Sequence, residues 1–174
     1  KTCQAIAACS EQSMFISSYP RNCECVELLE TEKKVIEKLH AYNGAIIYLP
    51  TFRKDYGSYT HPLDDTRIRE FIERNDYVWI EKPHSAATYR YTGSTLNNII
   101  CLDSTFDINV LYPYVNAVIS DYSSAVFDAV YRKIPVIMYT PDIKKFKNGN
   151  IGLTFDIEND CAAVIAETIP MVVE

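Results

Sequence analysis

The sequence predicts an α/β fold built on a parallel sheet with helices on both faces. Three observations carry this reading. Short continuous apolar runs recur along the chain: AIIYL at Ala45–Leu49, YVWI at Tyr77–Ile80, AVI at Ala117–Ile119 and PVIMY at Pro135–Tyr139. Strands covered on both faces read this way rather than alternating with polar residues. Segments with helical apolar spacing fall between the runs, as in successive βαβ units. One whole unit stands out in Ala117–Pro141: an apolar run, the polar turn Ser120-Asp121-Tyr122-Ser123-Ser124, a helical pattern with Ala125, Val126, Ala129 and Val130 on one face, and a second run. Two parallel strands need such a crossover. The expected architecture is a Rossmann-like doubly wound sandwich, with its ligand beyond the carboxyl ends of the strands.

Taken in order, Lys1–Ser13 is weakly patterned, Ser13–Ser17 reads as a strand and Ser18–Asn22 as a turn. Residues 1–26 are therefore expected to be a lead-in and 27–174 the domain proper. Glu27–Leu39 reads as a helix with Leu28, Leu29, Val35, Ile36 and Leu39 apolar. Its acids come early and its lysines later, as the helix dipole prefers, and Asn43-Gly44 stops it. Asp64 or Asp65 can cap a helix over Thr66–Arg74, with Ile68, Phe71 and Ile72 inward. Ser85–Asn98 is a polar loop and Ile99–Leu102 a short strand. Asp107–Tyr114 is expected to form one or two helical turns ended by Pro113. Asp142–Asn150 reads as a basic loop. The last element is expected to be a helix, Cys161–Thr168, capped by Asn159 or Asp160 and packing Ala162, Val164, Ile165 and Ala166.

Composition narrows the function. A formal charge of −6 argues against non-specific nucleic-acid binding, which rests on basic surface. No apolar run is long enough to span a bilayer, and Lys1–Ser18 lacks the apolar core of a signal peptide. The chain begins with Lys1 rather than Met, as a piece of a longer protein would. Six cysteines are irregularly spaced, with Cys101 and Cys161 in apolar patterns where a thiol packs as a small hydrophobe. Cys23 and Cys25 have no second pair to complete a zinc site. A reducing cytoplasm fits this usage. Five glycines, with no G-x-G-x-x-G after a strand and no P-loop, make a dinucleotide or Walker site improbable.

The polar groups that follow the predicted strands share one rim of a parallel sheet. These are Arg53; Lys82 and His84; Asp103 and Ser104; Asp121, Ser123 and Ser124; and Thr140 and Asp142. The turn before the helix at Ala125 offers free N–H groups and two hydroxyls, which favours a phosphate or diphosphate. Each group also has a plainer reading. Arg53 and His84 can be surface loop residues, and Asp121 and Ser123 can be helix caps. Asp128 can be an exposed first-turn acid. His61 and His40 read as ordinary loop and helix-end residues.

The motifs SYPRN at Ser18–Asn22, YLPTFR at Tyr48–Arg53, EKPH at Glu81–His84 and ISDYSSAVFDAVYRKIPVIMY at Ile119–Tyr139 resemble the CDP-glycerol glycerophosphotransferase family of teichoic-acid and capsule polymer enzymes. The resemblance covers about Ser17–Phe155, and D-Y-S-S-x-x-F-D is its most specific block. It implies that this chain is the carboxyl-terminal, nucleotide-binding half of a two-domain GT-B-type fold, with residues 27–174 binding the donor. The donor would be CDP-glycerol or a related CDP-alditol, with no cofactor or metal. The acceptor would be a hydroxyl of a lipid-linked polymer, presented by an amino-terminal domain this chain lacks. The full-length protein would sit at the inner face of the cell membrane as a peripheral protein. His84 would be the catalytic residue, as a charge stabiliser or proton donor. Arg53, Lys82, Asp121, Ser123, Ser124 and Asp128 would bind substrate, Asp128 on the ribose or cytidine side. The sequence departs from the family pattern at Cys23, where an acid is expected after P-R-N. A GT-B glycosyltransferase using a nucleotide sugar, or a non-catalytic nucleotide-binding module, would present a similar pattern of strands and rim groups.

Overall fold

The computed structural model describes residues 27–52, 59–84, 97–144 and 162–174. The lead-in 1–26, Arg53 and the cysteines other than Cys101 lie outside them. The elements run α1 (Glu30–Leu39), β1 (Gly44–Leu49), a 3-10 turn (Pro62–Asp64), α2 (Thr66–Arg74), β2 (Tyr77–Glu81) and β3 (Ile99–Cys101). Two 3-10 turns follow (Ile108–Val110 and Tyr112–Tyr114), then β4 (Ala117–Ser120), α3 (Ala125–Tyr131), β5 (Val136–Tyr139), β6 (Val164–Ala166) and α4 (Ile169–Val173). The strands form one sheet in the order β3-β2-β1-β4-β5-β6, and every pairing is parallel. The chain winds outward from β1 to β3, then returns to the other side of β1 to start β4.

Alternation along β1 explains the two faces. Ala45, Ile47 and Leu49 point to one side, where they meet Ile36 and Leu39 of α1 and Val126 and Ala129 of α3. Ile46 and Tyr48 point to the other, against Ile68 and Ile72 of α2 and Ile169 and Val172 of α4. All six β1 residues are buried, so the strand had to be apolar throughout. It can start tightly because residue 44 is glycine. A Cβ there would lie 2.7 Å from the Tyr77 ring and 2.8 Å from Asn116 Oδ1, the atom that accepts the Ala45 N–H at 2.9 Å.

The helices have local reasons for their bounds. Glu32 turns back to accept the Leu29 N–H at 2.8 Å, so α1 starts at Glu30 rather than Glu27. Asp65 caps α2 by accepting the Arg67 N–H at 2.9 Å. The Arg67 side chain also bonds that carboxylate and holds its pKa down to about 2. Helix α3 closes with the Lys133 N–H on Val130 O at 2.9 Å and the Ile134 N–H on Ala129 O at 3.0 Å. This double closure puts Lys133 in the left-handed region, at φ 60°.

Three expectations need correction. The predicted helix Cys161–Thr168 is not formed: Val164–Ala166 is a strand paired with β5, and the last helix begins at Ile169. Val164 is exposed, Ile165 half-buried and Ala166 fully buried, a three-residue strand too short to be told from a helical face by spacing. Pro113 does not end the helical region before β4; it is the second residue of the second 3-10 turn, within its first turn, where its missing N–H costs nothing. Cys101 is exposed rather than packed; among the described residues it lies on the edge strand β3.

Replacing Lys133 by glycine should relieve the left-handed backbone and stabilise the fold by up to about 1 kcal/mol. A urea midpoint raised at unchanged slope would register this, and an unchanged or lowered midpoint would contradict it.

Candidate functional site

The strand order reverses between β1 and β4, and the segments leaving these strands diverge. The chain after β1 leads to α2 on one face; the turn after β4 leads into α3 on the other. A crevice opens at the carboxyl ends where connections part in this way, and open α/β sheets bind ligands there.

Side chains tie the two sides of this crevice together. The β1–β4 ladder ends at the pair Leu49 and Ser120, and Ser120 Oγ donates to Leu49 O at 2.7 Å. One residue on, the Asp121 carboxylate is fully buried. It accepts the Thr51 N–H at 2.9 and 3.1 Å, the Thr51 hydroxyl, and the Tyr122 N–H at 2.7 Å. The Tyr122 hydroxyl donates to Asp142 Oδ1 at 3.0 Å, linking the turn to the segment after β5.

The described site residues predicted from the sequence lie on the segments that follow β2 and β4 and in α3. Ser123 and Ser124 form the turn before α3. Ser123 Oγ accepts the Ala125 N–H at 3.3 Å, which leaves its own proton for another acceptor. The Ser124 side chain is exposed and makes no capping bond. Lys82 is half-buried after β2, its N–H on Tyr48 O at 3.2 Å. His84 is exposed, and its ring centroid lies 6.2 Å from that of Phe52, so the segments after β1 and β2 meet. Asp128 is buried, which removes the reading of it as a solvent-facing acid. Arg53 lies outside the described residues.

Below the rim, on the α2/α4 face, is a polar cluster that sequence reasoning missed. His61 and Glu81 are both buried, with Nε2 and Oε2 3.1 Å apart. His61 Nδ1 accepts the Leu63 N–H at 3.2 Å, which puts the proton of a neutral ring on Nε2. The His61 ring packs edge-on to Tyr48 at 5.1 Å, and the Tyr48 hydroxyl is bonded to that of Tyr59. The only sequence signal was an acid at the end of an apolar strand. Among the described residues no group of three or more His, Cys, Asp or Glu is placed to hold a metal, and no helix is long and apolar enough to cross a membrane.

A six-stranded parallel sheet in this order, with helices on both faces, defines a Rossmann-like α/β domain. The chain belongs to the CDP-Glycerol:Poly(glycerophosphate) glycerophosphotransferase family, whose model matches residues 1–174. It is 26% identical over 178 residues to the teichoic acid poly(glycerol phosphate) polymerase of Bacillus subtilis (strain 168), covering 94% of this chain and 23% of that protein. A protein of the same name from Bacillus spizizenii is 26% identical over 174 residues, covering 94% and 44%. A structure of the wall teichoic acid polymerase TagF soaked with CDPG has the same fold, with a TM-score of 0.74 at 22% identity over 98% of this chain and 44% of that one. The chain thus spans less than half the length of the relatives it matches.

Burial and the nearby Asp121, Tyr139, Asp142 and Glu81 raise the Tyr59 pKa well above 10.0. The folded state then keeps a proton that the unfolded chain loses near pH 10, so this contribution is present below pH 10 and is lost as pH rises above it. Tyr59→Phe should flatten the alkaline fall in stability, measured by urea unfolding between pH 9 and pH 11 (about one unit either side of the reference value). An identical fall in the variant would count against this assignment.

Proposed function

We propose that this chain supplies the donor-binding part of a transferase that moves glycerol phosphate, or another alditol phosphate, from a CDP-activated donor to a hydroxyl of a lipid-linked polymer. The observation that carries the reading is that the family's D-Y-S-S-x-x-F-D block, Asp121–Asp128, forms the turn and first helical turn at the switch-point crevice. Ser123 and Ser124 would donate to the diphosphate, with Lys82 and Arg53 adding positive charge. Asp128 would serve the ribose or cytidine side. Donors fixed around developing phosphate charge are the main catalytic lever in such transfers.

The acceptor oxygen would bond to the phosphorus carrying the alditol while the bond from that phosphorus to the oxygen of the departing CMP breaks. The proton of the acceptor hydroxyl would end on the CMP phosphate or in solvent. His84, exposed at the rim, would stabilise or protonate the leaving phosphate. No resident cofactor enters the scheme. The acceptor would be brought by a further domain, and the whole protein would associate peripherally with the membrane that carries it.

Calorimetry with CDP-glycerol, CDP-ribitol, UDP-sugars and CMP-sugars tests the donor. CDP-alditols should bind best. The double variant Ser123→Ala/Ser124→Ala should lose ~1.5–3 kcal/mol for each charge-assisted bond removed. Undiminished affinity in that variant, or preference for a UDP- or CMP-sugar, would overturn the reading.

A further inference from the structure

We propose that Thr51 is a positioning residue of the donor site, acting through Asp121 to hold the segments after β1 and β4 at one separation. The proposal rests on the donor reading above and names how that site is kept in shape. Backbone pairing between β1 and β4 stops at Leu49 and Ser120, and beyond it the two segments diverge to opposite faces of the sheet. No ladder bond sets their spacing there. The side chains of Ser120 and Asp121 do so, reaching Leu49 O and the N–H and hydroxyl of Thr51. Asp121 is 0% exposed and spends acceptor capacity on three separate donors, the third being the Tyr122 N–H. A carboxylate can accept all three; an amide has a single acceptor oxygen.

The same arrangement explains why a carboxylate is tolerated beneath a site proposed for a diphosphate. Its oxygens accept from Thr51 and Tyr122 of the protein itself. The Tyr122–Asp142 bond ties the far side of the turn to the segment after β5, so residues 121–124 are held from both flanks. Phe52 follows Thr51 directly and meets the His84 ring. The clamp therefore bears on the histidine side of the rim as well as on the serines.

The test uses Thr51→Val, Thr51→Ser and Asp121→Asn, with amide exchange by NMR on the ligand-free chain and CDP-glycerol affinity by calorimetry. Thr51→Val keeps the N–H and removes only the hydroxyl. It should speed exchange at Thr51 and Tyr122 about tenfold while Ile47 stays protected, and weaken CDP-glycerol binding by about five- to thirtyfold, on the order of one lost bond. Thr51→Ser should restore both, and Asp121→Asn should reproduce the valine phenotype. If Asp121→Asn does not fold, Tyr122→Phe takes its place, with faster exchange confined to the turn. Unchanged exchange in Thr51→Val overturns the clamp. Weakened binding with unchanged exchange means that Thr51 touches the donor itself, which also overturns it. If the parent chain binds no CDP-glycerol, the donor reading falls, and the exchange data alone decide the clamp.

Discussion

The parallel pairing of β1 with β4 is the constraint on which the rest of the structure depends. It places a strand buried on both faces beside the strand to which the chain returns, and it fixes where the connections part. The apolar content of β1 follows from that central position. So does the polar character of residues 120–124, because the first residues past a buried pair must satisfy their backbone groups without a neighbouring ladder. Ser120 and Asp121 meet that need from their side chains.

Much of this was legible in the sequence, for physical reasons that differ along the chain. Strands β1, β2 and β4 announced themselves as continuous apolar runs, which only a doubly covered sheet makes necessary. Helix α2 was readable to its bounds, since Asp65 caps it and Ile68 and Ile72 mark its inner face. The rim groups could be listed because strand ends in a parallel sheet share one edge. Strand β6 was not readable: three residues carry no period, and the signal present was Pro170 in the first turn of the helix after it. The burial of Asp128 was not readable either, because an acid in a first helical turn looks the same in sequence whether its face is covered or open.

The His61–Glu81 pair lay beyond any local pattern, twenty positions apart and joined only by the fold. It ties the 3-10 turn at Pro62–Asp64 to the last residue of β2, the residue before Lys82. Such a pair gains little stability over an apolar replacement, but losing one member strands the other in the interior. Its effect is to commit residues 59–63 to one position behind the rim. The aromatic rings of Tyr48, Trp79 and Tyr139 make the same commitment by packing.

The outermost strands have a consequence for how this chain behaves beside copies of itself. Among the described residues, β3 and β6 form the edges, and each is three residues long. An incoming strand would find only a few unpaired backbone groups to bind on either side. Brevity at the margin thus works as a stop signal against sheet-to-sheet growth, while the longer, stickier β1 stays in the middle where nothing can reach it.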